Sequence, residues 1–324
     1  MGINSDAGLG GLEERICFPP RGDSGRRVSR CELFWSVRGA IAPYESNRDS
    51  DYLEAWDQYS LEAIIEAAEE TYSPVIIGFG SSSVNQEWFD RRGLLMLASM
   101  GRPIVDAARV PVSFLLNEAK TFEQIKQGIC LGFNAVMLDT SDLPFEENVR
   151  KTRHVVEIAH AAGIDVEAEC GRIPDRTGFE KNHAFLTDPD DAQCFVKETG
   201  IDALAVSAGN IHCSNVRANL DFSLLARIKE KLDIPLVMHG GTGIADEDIP
   251  ELIRMGVAKI NVGTVLKQIF LNSILETVCF SNIGDVQTAV GSHKSGDIME
   301  QAVKHIREEV VRRVTIYGSA GKAK

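Results

Sequence analysis

Two histidines of the sequence are candidate metal ligands. His212 follows the apolar run 202–207, and His239 is the last residue of the next run, 234–239, so the two are one strand–helix repeat apart. Neighbouring parallel strands would direct both imidazoles to one edge of a sheet. Imidazole is a ligand for Zn²⁺, Co²⁺, Fe²⁺ and Mn²⁺. The pattern therefore predicts a metal site, with a hydrogen-bonded histidine pair on separate loops as the alternative.

Polar side chains close other apolar runs of the sequence as well. Burying such groups without partners is costly, so several of them together favour a shared partner such as a metal ion. Glu118 and Glu169 are candidates for metal ligands or for a general base, with solvated surface carboxylates as the alternative, and Asp139 has the same options. In chain order the strand-end residues are Asn117, Glu118, Asp139, Glu169, His212, His239 and Asn261.

Two glycine-rich turns, MHGGTG and KINVGT, cover the ends of the last two apolar runs. Each combines threonine with glycine, which leaves backbone N–H groups accessible, and each stands between a strand and a helix. Turns of this kind bind phosphate in α/β barrels after strands seven and eight. The alternative is a tight turn that needs glycine for its backbone alone. The candidate phosphate-binding residues are Gly240, Gly241, Thr242, Gly263 and Thr264.

A polar loop, residues 171–183, follows the fifth apolar run. It contains glycine and has no hydrophobic periodicity, which is typical of a lid over an active site. Asp175, Arg176 and Glu180 are the residues in it whose side chains could take part in chemistry. The alternative for each of them is a plain surface loop.

The elements that must position these residues are short apolar runs that alternate with helical patterns from residue 39 onward. Runs rich in β-branched residues are typical of parallel strands buried on both faces. Repeated strand–helix units of this size predict a (β/α)8 TIM barrel. A doubly wound open sheet is the alternative, but no G-x-G-x-x-G turn follows the first run. The predicted strands are 39–43, 74–79, 110–116, 134–139, 164–169, 202–207, 234–239 and 258–262.

The segments between and beyond these strands complete the predicted organisation. Residues 1–36 are rich in Pro, Gly and Arg without periodicity, and they predict a mobile N-terminal extension before a barrel domain at 37–324. Residues 298–318 predict an extra amphipathic helix after the last strand. Apolar residues at helical spacing, several followed by glycine, predict the intervening helices. These helices are 60–70, 145–163, 190–200, 224–232 and 247–256.

Composition limits the classes of partner and compartment. The chain has 324 residues, of which 44% are hydrophobic and 25% charged, as in an ordinary globular protein. A net charge of −13 argues against nucleic acid or an anionic membrane as a partner. The 7 cysteines are scattered and odd in number, which favours reduced thiols and a cytoplasmic location. No signal pattern and no apolar run long enough for a membrane span is present.

Several ordered motifs together resemble the class II fructose/tagatose-bisphosphate aldolase family. The resemblance covers residues 55–323. It implies a (β/α)8 barrel that is a homodimer or higher homo-oligomer and acts on a sugar phosphate. It also implies a divalent metal, zinc first, with Co²⁺, Mn²⁺ and Fe²⁺ as alternatives. The motifs are VMLDTSDLPFEENVRKT (136–152), VEAECG (166–171), VMHGGTGI (237–244), KINVGT (259–264) and YGSAGKA (317–323).

The resemblance also implies roles for individual residues. His212 and His239 match two of the family's three metal-binding histidines, and Asn261 matches a residue that contacts the enediolate. Glu169 and Asp139 match carboxylates near the metal. Gly240, Gly241, Thr242 and Thr264 match residues that hold the substrate phosphate, whereas Gly263 replaces a polar residue on the phosphate side.

The chain departs from the family at the end of the third strand. Where the family has H-L-D-H-G, this sequence has LLNEA at 115–119. Glu118 takes the place of the first metal-binding histidine, and two histidines with one carboxylate remain a sound ligand set. Asn117 takes the place of an aspartate that shuttles a proton, and losing a general base typically costs about 10²–10⁴-fold in rate.

These observations predict a metal-dependent aldolase that acts on a phosphorylated ketose. An isomerase or epimerase of a sugar phosphate is the first alternative, because enolisation without C–C cleavage asks less of residue 117. A non-catalytic sugar-phosphate-binding protein is the second. The predicted metal ligands are Glu118, His212 and His239, and the predicted catalytic residues are Asn117, Glu169 and Asn261.

Overall fold

A computed structural model describes residues 50–174, 186–280 and 285–323. Within these ranges, parallel strands pair in chain order, and the last strand pairs with the first to close a barrel. The predicted (β/α)8 barrel is therefore confirmed, whereas the predicted N-terminal extension lies outside the described residues. The strands are β1 (Ser50–Glu54), β2 (Val75–Gly80), β3 (Val112–Ala119), β4 (Ala135–Leu138), β5 (Asp165–Cys170), β6 (Ala203–Val206), β7 (Leu236–Met238) and β8 (Val257–Val262).

A helix follows each strand, and one more helix ends the chain. Their N-terminal ends are commonly capped by Asp or Thr, as at α1, where the Asp57 carboxylate accepts a hydrogen bond from the Ser60 backbone N–H. Within the described residues, the α-helices of six or more residues are α1 (Gln58–Thr71), α2 (Leu94–Ala107), α3 (Phe122–Cys130), α4 (Phe145–Ala161), α5 (Pro189–Thr199), α6 (Phe222–Lys231), α7 (Ile249–Arg254), α8 (Thr264–Phe280) and α9 (Ile298–Ile316).

The first strand of the barrel is Ser50–Glu54, and the prediction of a first strand at 39–43 was wrong. Ser50–Glu54 pairs with β2 on one side and with β8 on the other, which leaves no vacant position in the barrel. The segment 39–43 itself lies outside the described residues. The reason for the error is the polar composition of SDYLE, which lacks the continuous apolar run expected of a strand that is buried on both faces.

The barrel has two layers of core. Half of the apolar residues in its interior are alanines, including Ala135, Ala203 and Ala205, and Tyr52 lies beside them. The larger core lies between the sheet and the helices, where the Phe114 ring stacks on Phe133 at 4.1 Å between ring centroids. The small interior layer leaves room for polar side chains at the carboxyl ends of the strands.

The predicted C-terminal helix is confirmed as α9, which lies outside the barrel and packs against α1 and α8. Val303, Ile306, Val310 and Val314 form its buried stripe, at the three- and four-residue spacing of an amphipathic helix. Within the described residues, no helix combines the length and the apolar composition needed to cross a bilayer.

Replacing Phe114 by alanine is expected to lower the free energy of unfolding by about 3–5 kcal/mol, because it removes a fully buried ring and leaves a cavity in the outer core. Urea unfolding followed by circular dichroism measures the change. Leu95→Ala is the matched control, since Leu95 is 51% exposed and its truncation should change stability by less than about 0.5 kcal/mol. Equal losses in both variants would contradict this account of the core.

Candidate metal centre and substrate cavity

A β-bulge at the end of β3 directs two successive side chains into the barrel mouth. Opposite β4, the register shifts between Leu116 and Ala119, so that the bulge contains Asn117 and Glu118. Adjacent residues of a regular strand point to opposite faces, but a bulge re-aims one of them. Glu118 accordingly has a φ of 53°, in the left-handed region, and both side chains line the same cavity.

The loop after β6 holds His212 at the same mouth. The buried Asn210 side chain donates to the backbone carbonyl of His239 at 3.1 Å and so ties this loop to the end of β7. The backbone N–H of His212 donates to the Pro174 carbonyl oxygen at 2.8 Å. The imidazoles of His212 and His239 are then stacked, with 5.0 Å between their ring centroids.

Three side-chain atoms form a triangle of metal-ligand size. The Nδ1 atom of His239 lies 3.1 Å from Nε2 of His212 and 3.2 Å from Oε1 of Glu118. The third edge, between His212 Nε2 and Glu118 Oε1, is 3.8 Å. Ligands at the usual distance of about 2.1 Å from a tetrahedral zinc are about 3.4 Å apart. The structure therefore brings the three predicted ligands together in an arrangement that fits a divalent cation.

A buried acid orients the ring of His239. The second ring nitrogen, Nε2, lies 2.8 Å from Oε1 of Glu167, which is fully buried on β5. The other oxygen of Glu167 accepts a hydrogen bond from Nζ of Lys259 on β8 at 2.7 Å. Carboxylates in this position hold the proton on the outer nitrogen of a metal-binding histidine and leave the inner nitrogen free to bind.

The electrostatics of the triangle couple metal binding to proton release. Burial raises the pKa of the Glu118 carboxyl, but the hydrogen bond from His239 and the charges of both histidines hold that pKa well below its usual range. Burial lowers the pKa of the His239 imidazole, but its hydrogen bonds with Glu118 and Glu167 raise it to about 9. A metal that binds Nδ1 of His239 must therefore displace a proton.

Glu169 is a buried acid of a different kind. Burial raises the pKa of its carboxyl to about 8, although the charge of His239 and a hydrogen bond from the Ile173 backbone N–H act in the opposite direction. Glu169 therefore keeps its proton at neutral pH. It lies on the same face of β5 as Glu167, two residues nearer the barrel mouth, and it is not among the described residues that line the cavity.

The other predicted acids have different positions. Asp139 forms an ion pair with Lys120 and accepts a hydrogen bond from the Ser141 hydroxyl at 2.8 Å, and it is not among the described residues of the cavity wall. The three candidate residues of the lid lie outside the described residues. They are Asp175, Arg176 and Glu180.

The triangle opens into a cavity of about 390 Å³ at the carboxyl ends of the strands. Asn117 and Asn261, two of the three predicted catalytic residues, line this cavity. Four of the five predicted phosphate-binding residues line it as well, whereas Gly241 is buried behind the wall. These four residues are Gly240, Thr242, Gly263 and Thr264.

The first glycine-rich turn has structural reasons for its glycines. Gly240 has a φ of 72°, and a Cβ atom there would lie 2.2 Å from the Ile211 carbonyl oxygen. A Cβ atom on Gly241 would lie 2.5 Å from Cγ2 of Ile260. The Thr242 hydroxyl accepts a hydrogen bond from the Val265 backbone N–H at 3.1 Å, which joins this turn to the start of α8.

Residues that line the cavity contain buried polar atoms without protein partners. They are the hydroxyl of Tyr52, Oδ1 of Asn117, and both polar atoms of the Asn261 side chain. Such orphaned groups are costly unless a ligand or water satisfies them. Their concentration beside the metal triangle indicates a binding site for a polar ligand rather than a solvent-filled surface depression.

Sequence reasoning missed Tyr52, Glu167 and Lys259. The signal for the last two was a charged residue inside an otherwise apolar run. Glu167 and Glu169 are spaced by two residues on one strand, and Lys259 and Asn261 on another, so each pair shares a face. Tyr52 was missed because the strand that carries it was not predicted.

Comparisons with known proteins agree with this geometry. The family model described as fructose-bisphosphate aldolase class-II matches residues 55–322. The fructose-bisphosphate aldolase of Geobacillus stearothermophilus is 35% identical over 267 residues, which cover 81% of this chain and 88% of the relative. The protein YdjI of Escherichia coli K12 is 34% identical over 275 residues, covering 84% and 92%.

A solved structure agrees with these sequence comparisons. The crystal structure of the YdjI aldolase from Escherichia coli K12 superposes with a TM-score of 0.75 at 31% sequence identity, and the match covers 90% of this chain and 100% of that one. The chain belongs to the class II fructose-bisphosphate aldolase family.

Proposed function

We propose that this protein is a metal-dependent aldolase that cleaves a phosphorylated ketose. The observation that carries the proposal is the convergence of three metal-ligand atoms on a cavity whose wall holds unpartnered buried polar atoms. Aldol cleavage needs an electrophile for the ketose carbonyl and hydrogen-bonding groups for the hydroxyls around it. The class II family to which the chain belongs supports the same reaction class.

Glu118, His212 and His239 would hold the cation, with zinc as the first expectation and Co²⁺, Mn²⁺ or Fe²⁺ as alternatives. When bound, the cation supplies Lewis-acid polarisation of the ketose carbonyl. The carboxylate of Glu118 adds a negative charge that a third histidine would not, which makes this ligand set more electron-rich. Glu167 keeps the ring of His239 in the orientation that binding requires.

The orphaned groups of the cavity would hold the substrate. Asn261 offers an amide N–H to an oxygen of the enediolate and a carbonyl oxygen to a hydroxyl. Burial and the nearby carboxylates raise the pKa of the Tyr52 hydroxyl, so Tyr52 stays a neutral hydrogen-bond donor. We place the substrate phosphate between the two glycine-rich turns, against Gly240, Thr242 and Thr264.

Proton transfer is where this chain differs most from the family pattern. The amide of Asn117 can orient a substrate hydroxyl but cannot accept its proton and release it again. Glu169 is a buried acid whose raised pKa makes its ionised form a strong base, and it lies two residues beyond Glu167 on β5. We therefore assign to Glu169 the proton-carrying role that an aspartate at 117 would have: its ionised form accepts the proton of the substrate hydroxyl as the C–C bond breaks, and the resulting carboxyl returns the proton afterwards.

The amide at position 117 also favours a second candidate function. An isomerase or epimerase enolises its substrate without breaking a C–C bond, and it can operate without a base at this position. Mass spectrometry of the product separates the two reactions, because isomerisation leaves the mass unchanged and cleavage yields two fragments. Binding of a sugar phosphate without turnover of either kind would support a non-catalytic role.

Assembly and location are proposed on the family likeness and the composition. We expect a homodimer or higher homo-oligomer in the cytoplasm, with a small sugar phosphate as ligand and no role for nucleic acid or membrane. Light scattering of the purified protein measures the assembly directly, and a monomer would contradict this part of the proposal.

Replacing His239 by alanine is expected to remove the metal and abolish cleavage, because the triangle loses its shared corner. Elemental analysis and a cleavage assay on a panel of ketose mono- and bisphosphates, before and after chelation, measure both effects. His154→Ala is the control, since His154 is an exposed histidine of α4. Full metal occupancy in the His239 variant, or wild-type cleavage that ignores chelators, would refute the assignment.

Replacing Glu167 by glutamine is expected to weaken metal binding by about 10- to 100-fold, because the histidine loses its orienting carboxylate. Competition with a chromogenic chelator measures the affinity. A Glu167→Gln, Lys259→Met double variant removes the buried unpaired ammonium and separates a folding defect from a metal defect. Glu146→Gln, an exposed change of the same kind, serves as the control. Unchanged affinity in a folded variant would contradict the positioning role.

The assignment of a proton to Glu169 predicts a pH dependence of stability in the metal-free protein. Because its folded pKa is about 8, above the ordinary value of 4.5, the folded state binds more protons than the unfolded state between these pH values. Its contribution to stability should therefore fall by up to about 1.4 kcal/mol per pH unit from pH 4.5 to 8 and then level off. The free energy of unfolding of the wild type and of Glu169→Gln, measured across this range, gives the contribution of Glu169 at each pH. If the carboxyl ionises normally, the difference between the two proteins should not change with pH.

A further inference from the structure

Glu54 ends β1 with its carboxylate at the cavity wall, outside every motif that supports the proposed function. Oε1 of Glu54 accepts a hydrogen bond from Nζ of Lys267 on α8 at 2.7 Å. The Ser83 hydroxyl is a weaker donor to the same oxygen, at 3.4 Å. The carboxylate is one-fifth exposed and the lysine side chain 38% exposed, so the pair lies at the edge of the site and not on the open surface.

Two glycines make the space that this carboxylate fills. A Cβ atom on Gly263 would lie 2.1 Å from Oε2 of Glu54, and a Cβ atom on Gly80 would lie 3.1 Å from Oε1. Any side chain at 263 would therefore displace the carboxylate. Glu54 occupies the volume that a polar residue at 263 would otherwise fill beside the second glycine-rich turn.

The ion pair also stands between two cavities. Glu54 and Lys267 line both the metal cavity and a second cavity of about 510 Å³. The second cavity has an aromatic wall in which the Trp56 and Phe270 rings lie edge to face at 5.5 Å. Nζ of Lys267 lies 5.8 Å from the centre of the Trp56 ring. A ligand that extends from the metal cavity past this pair therefore meets aromatic carbon.

The charge at this point is balanced before any substrate arrives. Among the described residues that line the metal cavity, Lys267 is the one lysine or arginine, and Glu54 neutralises it. One phosphate can rest on the backbone N–H groups of the glycine-rich turns, whereas a second would meet a carboxylate and, among the described residues of the cavity wall, no unpaired cation. Like charges in such a partly desolvated position strongly disfavour binding.

We propose that the Glu54–Lys267 ion pair restricts the substrate to a ketose with a single phosphate, whose other end is an uncharged polyhydroxyl chain. This inference rests on the proposed function and names the substrate class of the same site. The carboxylate accepts hydrogen bonds from the hydroxyls of the chain, and the ammonium donates one. The aromatic wall packs against the C–H faces of the same chain.

Binding and cleavage of D-fructose 1-phosphate and D-fructose 1,6-bisphosphate by the metal-loaded protein test the proposal. Calorimetry is expected to show that the wild-type protein binds the monophosphate at least about tenfold more tightly than the bisphosphate. Glu54→Gln leaves Lys267 unpaired and should shift the ratio of the two dissociation constants toward the bisphosphate by about 10- to 100-fold.

The two single variants should shift the binding ratio in opposite directions, which separates this charge effect from a general loss of structure. Lys267→Met leaves the carboxylate unpaired and should shift the ratio further toward the monophosphate, while the double variant should return close to the wild-type ratio. Glu157→Gln makes the same change in net charge at an exposed position of α4 that lines neither cavity, and it should not move the ratio. Thermal unfolding verifies that each variant is folded.

Failure of the two proposals can be told apart. If neither ligand is cleaved but the binding ratio moves as expected, aldolase chemistry on these sugars fails and the specificity role of the pair stands. A wild-type preference for the bisphosphate, a shift of both single variants in the same direction, or no binding of either ligand would overturn the specificity role.

Discussion

The ion pair between Glu167 and Lys259 crosses the interior of the barrel, and the geometry of the metal triangle depends on it. Both side chains are fully buried, so each charge is tolerable only because the other neutralises it. The pair leaves one carboxylate oxygen for the outer nitrogen of His239. That hydrogen bond turns the inner nitrogen toward His212 and Glu118. An ion pair that lies below the cavity floor thus sets which atoms line the cavity.

The backbone of β3 supplies the other half of this geometry. A regular strand could present either Asn117 or Glu118 to the cavity, but not both. The bulge presents both, and it requires Glu118 to adopt a left-handed backbone that non-glycine residues rarely occupy. Strain of this kind persists where surrounding contacts compensate it. Here the carboxylate is held by Ser82 and by His239.

Much of this architecture was predictable because buried parallel strands have a simple signature. Seven of the predicted strands overlap observed ones, and the extra C-terminal helix is where its periodicity placed it. The prediction of the first strand failed because two of its residues, Tyr52 and Glu54, line the cavity. The strand is therefore not a continuous apolar run. For the same reason Glu167 and Lys259 were missed, since a pattern that marks core strands treats charge as an interruption. An ion pair across the barrel joins residues that are far apart in the sequence, so residue spacing alone does not predict it.

The charged side chains around the cavity determine which ligand charges the site can bind. Lys259 is neutralised by Glu167 and Lys267 by Glu54, so neither lysine has an unopposed charge for a ligand. Glu118 faces two histidines, and the hydrogen bonds of His239 favour the protonated form of the His239 imidazole. A cation that binds Nδ1 of His239 would therefore replace a proton. Exchanging that proton for a dication raises the local charge by one unit, and this is the surplus positive charge that can attract a phosphorylated substrate. This charge lies at the triangle, whereas a second phosphate would lie beside Glu54 and Lys267, whose charges already cancel. The metal site and the proposed single-phosphate specificity of the ion pair are connected in this way.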